Sequence, residues 1–155
     1  MEPKLPPIEE YSKPTKVEQR KLCTLYYLKV RSKPIKPERE LFIAYDECHP
    51  QVDGFKVRYV YVVRFFEKGN EAGNHYHVKK DEIMIPINGN MSICLEDILT
   101  KETETIAISS AKPIAVRVKP KIAHKVVSKK QGDTLLVLSS TPSADEDEFE
   151  YKVKG

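Results

Sequence analysis

The chain has 155 residues, 40% of them hydrophobic and 32% charged, with a formal net charge of +3; this is enough to bury one proper core and predicts one domain plus an arm. No apolar run is long enough to span a bilayer, and the opening MEPKLPPIEEYSKP lacks the apolar stretch of a signal peptide, so a cytoplasmic protein without membrane contact is expected. The small, evenly spread charge suits an anionic small molecule and argues against nucleic acid, while Cys23, Cys48 and Cys94, with no C-x-x-C pair, argue against a disulfide framework or a cysteine zinc site.

Residues 1 to about 20 carry four of the eleven prolines and many charges, and are expected to form an extended arm. Leu22 to Val30, LCTLYYLKV, is rich in strand formers and predicts a first strand, ended by Pro34 and Pro37. The expected division is an arm with that strand over 1–38 and a barrel over 39–155. Leu41 to Tyr45 predicts a short strand and Pro50 to Gly54 a turn, with His49 an ordinary loop histidine.

Phe55 to Phe66 is the longest strand candidate. Val60, Val62 and Arg64 fall on one face, and Tyr59, Tyr61, Val63 and Phe65 on the other. After residue 89 come short runs at Met91 to Glu96, Thr105 to Ser109, Ile114 to Val118, His124 to Ser128 and Thr134 to Ser139. Turn signals separate them at Asp97, Lys112-Pro113, Lys119-Pro120 and Gln131-Gly132-Asp133. Regular short strands with turns between them predict an all-β jelly roll closed into a small barrel. Helix is confined to single turns, at 97–103 or in the acidic stretch Ser143 to Glu148.

The chemistry concentrates between Gly69 and Gly89. His75 and His77 are one residue apart, Glu82 follows after four residues, and Gly89 after six more. Side chains i and i+2 of a strand leave on one face, so both imidazoles can converge while Tyr76 points away. Asn88-Gly89 reads as a two-residue hairpin turn of type I′. His124 supplies a third imidazole about fifty residues later. Three imidazoles and one carboxylate are a competent ligand set for a divalent transition metal, with zinc, iron, manganese and nickel all open. Without metal, one histidine could act as a base near neutral pH, oriented by Glu82. Lys79 and Lys80 read as solvated surface cations.

The spacing Gly69…His75-x-His77…Glu82…Gly89, with Pro120 and His124 behind it, resembles the two sequence blocks of the cupins. In the second block Ile122 stands where the family has glycine, and the Pro-to-His spacing is one residue short. The segments RELFIAYD from Arg39, GNHYHVKKDE and QGDTLLVLSSTPSADEDEFEY extend the resemblance over about residues 39 to 151. They are similar to small cupins that modify nucleotide-linked keto sugars, namely sugar 3,4-ketoisomerases and the cupin domain of capsule-precursor reductase/epimerases. The His-to-Glu spacing looks closer to the second group, and Ala72 stands where the ketoisomerases have arginine.

That resemblance implies a metal held by His75, His77, Glu82 and His124, or a catalytic base at His75. It further implies an acid at Tyr59 or Tyr61, diphosphate contacts from Arg58, Arg64 or Lys79, a nucleotide sugar as substrate, and a homodimer. The alternatives are a metal-dependent dioxygenase or other small-molecule cupin enzyme, and a sugar- or metal-binding module without catalysis.

Overall fold

The computed structural model describes residues 1–4, 13–31, 40–47, 50–143 and 145–155. Pro34, Pro37, Arg39, Cys48, His49 and part of the expected arm lie outside them. The strands are β1 (Lys16–Gln19), β2 (Thr24–Tyr27), β3 (Val30–Arg31), β4 (Leu41–Phe42), β5 (Tyr59–Arg64), β6 (Glu71–Tyr76) and β7 (Glu82–Asn88). They continue with β8 (Asn90–Asp97), β9 (Thr103–Ser109), β10 (Ile114–Val118), β11 (Ile122–Ser128), β12 (Thr134–Ser139) and β13 (Phe149–Glu150). A 3₁₀ turn, Asp145–Asp147, precedes β13. Among the described residues no helix is long and apolar enough to cross a membrane.

Two antiparallel sheets face each other, one in the order β1-β2-β10-β7-β12-β5 and one in the order β13-β6-β11-β8-β9. This is the jelly roll expected from the spacing of the short strands. Lys16–Gln19, expected as part of a loose arm, is instead an edge strand, because its backbone pairs with β2 from Lys16 opposite Tyr27 to Gln19 opposite Thr24. The division at 38/39 falls within the undescribed stretch, and strands from both sides of it share the six-stranded sheet.

The space between the sheets is filled by a core that includes Leu25, Met84, Met91, Ile93, Leu95, Val116, Leu135 and Val137. A second cluster, with Val52 and Phe55 against Ile83, Ile85 and Leu138, covers the outer face of the six-stranded sheet. Val153, packed with Cys94 and Ala123, does the same for the other sheet. Both faces of the central strands are therefore dry, which is why β7 is buried continuously from Glu82 to Pro86 rather than at alternate residues.

Two expectations about turns change. Asn88-Gly89 is not a hairpin turn, since β7 pairs with β10 and β12 while β8 pairs with β11 and β9. The dipeptide is the corner where the chain passes from one sheet to the other. Gly89 alone of the pair has positive φ, at 86°, and a Cβ there would stand 1.9 Å from Asp133 Oδ1. Glycine is required at this corner because a buried carboxylate occupies the space a side chain would take. Asp133 in turn accepts hydrogen bonds from the Asn90, Lys129 and Lys130 amides and from the Ser128 hydroxyl, closing the same end of the barrel.

Candidate functional site

The strand carrying His75 is bent by a bulge. Opposite it, Lys125 faces Gly73 and His124 faces His75, so β6 spends one extra residue, Asn74, where β11 advances by one. Gly73 and Asn74 both have positive φ, 100° and 60°. A Cβ on Gly73 would stand 2.6 Å from the His124 carbonyl oxygen, so only glycine lets the two strands approach this closely. The extra residue resets the alternation, and Ala72 and His75 line the same pocket. Tyr76 points away, stacked on Phe149 with ring centroids 5.2 Å apart.

His77 lies just past β6, Glu82 opens β7, and His124 sits in β11 next to the bulge. All four predicted ligands therefore meet, with one donor atom from each lying within 4.8 Å of the others. The ring centroids of His75 stand 4.7 Å from His77 and 4.8 Å from His124. His77, Glu82 and His124 are buried, at 3%, 1% and 4% exposure, whereas His75 is half-buried and reaches the cavity.

Backbone carbonyls settle the ring orientations. His77 Nδ1 lies 2.7 Å from the Asp147 carbonyl oxygen and His124 Nδ1 3.3 Å from that of Ile122. A carbonyl can only accept, so each Nδ1 carries a hydrogen, and Nε2 of a neutral ring is left as a lone pair. Both Nε2 atoms aim at one oxygen, Glu82 Oε1, at 3.1 and 3.3 Å. His77 Nε2 and Glu82 Oε1 are buried without a hydrogen-bond partner. Lone pairs meeting this way call for a positive centre between them, either a proton or a metal ion. Three imidazoles, two of them with the second ring nitrogen anchored, and a carboxylate are a donor set that fits a divalent transition metal.

The other Glu82 oxygen is occupied. Tyr61 donates its hydroxyl hydrogen to Oε2 at 2.9 Å, and the Ser139 hydroxyl lies 3.5 Å away. Burial, then the charge and hydrogen bond of Glu82, hold the Tyr61 phenol well above its ordinary pKa, so its proton stays on the bridge to Glu82. Burial opposes ionisation of Glu82, but the close approach of the His124 and His77 rings to Oε1 outweighs it and holds the carboxyl well below its usual pKa. For His77, burial disfavours the charged ring, and the Glu82 carboxylate against its Nε2 overcomes it, leaving its pKa raised. His75 has no such bond. Burial, then repulsion from His124 and His77, lowers it to about 4.

These groups form one end of a cavity of ≈ 220 Å³, walled by Val63, Met84, Val126, Leu135 and Val137. Tyr59 and Tyr61 line it from β5, as the alternation predicts. Arg58 and Arg64 are exposed and do not line it; Val60 and Val62, which alternate with them in register, are also exposed, at 53% and 54%.

The expectation that Lys80 is a solvated surface cation is overturned. It is 4% exposed, lines the cavity, and holds Nζ 5.7 Å from the centre of the Tyr59 ring. The turn that carries it is tied down on two sides. The Asp147 carboxylate accepts the Val78, Lys79 and Lys80 amides, while Asp81 pairs with Arg117 and exchanges bonds with Ser140. Ser143 and Glu148, also unforeseen, complete the lining. No sequence signal marks Asp147 among the acids of SADEDEFE as the one that caps this turn.

Residues 57–148 match the family described as Polysaccharide biosynthesis C-terminal domain, which is more than half of the chain. No curated protein matches the sequence significantly. Among solved structures, a mutant of the 3,4-ketoisomerase QdtA from Thermoanaerobacterium thermosaccharolyticum in complex with TDP-4-keto-6-deoxyglucose is 19% identical, covering 84% of this chain and 88% of its own, at a TM-score of 0.70. The WlaRB TDP-quinovose 3,4-ketoisomerase from Campylobacter jejuni is 20% identical over 84% and 94%, with a TM-score of 0.71. The rmlC epimerase of Mycobacterium tuberculosis is 13% identical over 88% and 72%, with a TM-score of 0.73. What this chain shares with them is the cupin jelly-roll fold.

Proposed function

The chain belongs to the polysaccharide biosynthesis C-terminal domain family, and on that premise we propose that it isomerises or epimerises a nucleotide-linked keto sugar by proton transfer. What supports this most is a neutral imidazole, His75, in the wall of a ≈ 220 Å³ cavity that it shares with Tyr59, Lys80 and His124 and with the apolar side chains of Val63, Met84, Val126, Leu135 and Val137. Such a ring is unprotonated at neutral pH, so its nitrogen is free to take a proton from carbon. The folds of a ketoisomerase seen with TDP-4-keto-6-deoxyglucose and of an epimerase support the same substrate class.

A ketone at C4 of the sugar acidifies the neighbouring C–H bonds. His75 removes the proton at C3, and the electron pair moves onto the C4 oxygen to give an enediolate. When the O3 hydroxyl passes its proton to the C4 oxygen, return of a proton to C4 leaves the ketone at C3 and a hydroxyl at C4, whereas return of a proton to the opposite face of C3 restores the C4 ketone with C3 inverted. Atoms and electrons balance without an oxidant. Tyr59, which lines the cavity, is the proposed acid that returns the proton; Tyr61 has its hydrogen committed to Glu82 and serves to fix that carboxylate.

The same ligand set, His75, His77, Glu82 and His124, is proposed to hold a divalent transition metal, which when bound would polarise the ketone oxygen. One ring nitrogen cannot both ligate an ion and accept a proton, so metal content decides which task His75 performs. The test is NMR of TDP-4-keto-6-deoxyglucose incubated with protein whose metal content is known from elemental analysis. The wild type is expected to convert it to a new keto-sugar isomer, with a His75→Asn variant slower by roughly 10²–10⁴-fold. An unchanged substrate, with both metal-free and metal-loaded folded protein, would overturn the reading.

A further inference from the structure

We propose that Lys80 is a catalytic residue of this site, its ammonium group taking up the negative charge that forms on the sugar's oxygen when the carbon acid is deprotonated. The inference rests on the keto-sugar reading above and assigns a role that reading leaves open. Lys80 stands between His77 and Glu82 in sequence, yet its stem is folded inward and 4% exposed, and its side chain shares the cavity with His75, His124 and Tyr59.

Among the described residues no ion pair or hydrogen bond engages its nitrogen; the face of the Tyr59 ring lies 5.7 Å away, and the carboxylate that shares the cavity lining, Glu148, is exposed to solvent. Glu82 is engaged by two imidazoles, a tyrosine and a serine. A buried cation held in no direct ion pair is costly, and folds retain one where an anion arrives. The position is also built deliberately. Three successive amides, including that of Lys80 at 3.0 Å, converge on the Asp147 carboxylate, and the Arg117–Asp81 pair fixes the residue that follows.

Two anions could be meant, the permanent diphosphate of the substrate or the transient enediolate. The cavity favours the second. Val63, Met84, Val126, Leu135 and Val137 give it an apolar side that suits a neutral sugar ring, and the lysine shares it with the proposed base. A fixed cation in such a place strengthens as charge develops and contributes little to binding of the neutral ketone.

The test compares wild type with Lys80→Met, reading exchange of the C3 hydrogen of TDP-4-keto-6-deoxyglucose in deuterated buffer, and separately the dissociation constants of that compound and of TDP. The expected result is exchange slower by roughly 10²–10³-fold with both dissociation constants changed less than about threefold. A Lys80→Ala variant, with room for an external amine, is expected to recover part of the rate when ethylammonium is added, which a merely misfolded protein would not do. Weakened binding of TDP in proportion to the lost rate would overturn the proposal in favour of a diphosphate contact. Unchanged exchange in Lys80→Met would overturn it while leaving the keto-sugar reading intact; a wild type that exchanges nothing would overturn both.

Discussion

His75 and His77 are separated by one residue, but their environments push their protonation in opposite directions. The folded pKa of His75 is about 4, against 6.5 for an ordinary imidazole. Between those values the unfolded chain binds a proton that the folded one does not, so stability falls as pH is lowered from about 6.5 to about 4. His77 has a raised pKa, so its contribution is complete below the unfolded value and is lost as pH rises through the folded one. A His75→Asn variant removes the first effect and keeps the second. Its thermal midpoint is expected to depend less on pH than that of the wild type over the same interval; equal slopes would contradict the burial of a neutral His75. The convergence of His75, His77 and Glu82 was legible in the sequence, because i and i+2 spacing in a strand and a carboxylate four residues on leave few arrangements. Lys80 was not, because what turns it inward is a carboxylate 67 residues away, and a Lys-Lys-Asp segment reads as surface whenever its cap is unseen.

The bulge at Gly73-Asn74 and the corner at Gly89 are what put those residues where they are. Gly73→Ala would place a Cβ 2.6 Å from a backbone oxygen of the strand that carries His124, in a conformation with φ of 100°. The expected cost is at least about 2–3 kcal/mol, combining backbone strain with separation of β6 from β11. Gly69→Ala is the control, since its Cβ would meet nothing within 4 Å and only the strain of its φ, roughly 1–2 kcal/mol, remains. Denaturant melts of the two variants measure the difference, and equal losses would contradict the close approach of the strands. A Gly-Asn pair inside a strand is a readable bulge signal. Asn88-Gly89 shows the limit of such reading: local turn chemistry cannot tell a hairpin from a corner between sheets, which depends on what each strand pairs with.

For the molecule as a whole, the all-β class followed from short β-branched runs broken at regular intervals by Pro, Gly and Asp, and β10 and β12 have the bounds their sequences suggested. What could not be read was the cover on the outer faces. Val52 and Phe55 sit in a stretch that reads as a turn and a strand start, and Val153 near the end of a charged tail, yet each is buried against a sheet. The tail does more than cover, since Asp147 orients His77 and Glu148 lines the cavity. The structure thus spends its C-terminal segment on the same site that its sequence announces near residue 75.

The account stands on carbon-bound hydrogen being labile in this cavity, and the most direct measurement is the incorporation of solvent deuterium into TDP-4-keto-6-deoxyglucose, followed by mass spectrometry and NMR. One deuterium is expected on the carbon next to the ketone with the wild type, and essentially none over the same time with His75→Asn. A bound sugar that gains no deuterium from folded wild-type protein, or gains it equally fast without the imidazole at position 75, would contradict the account.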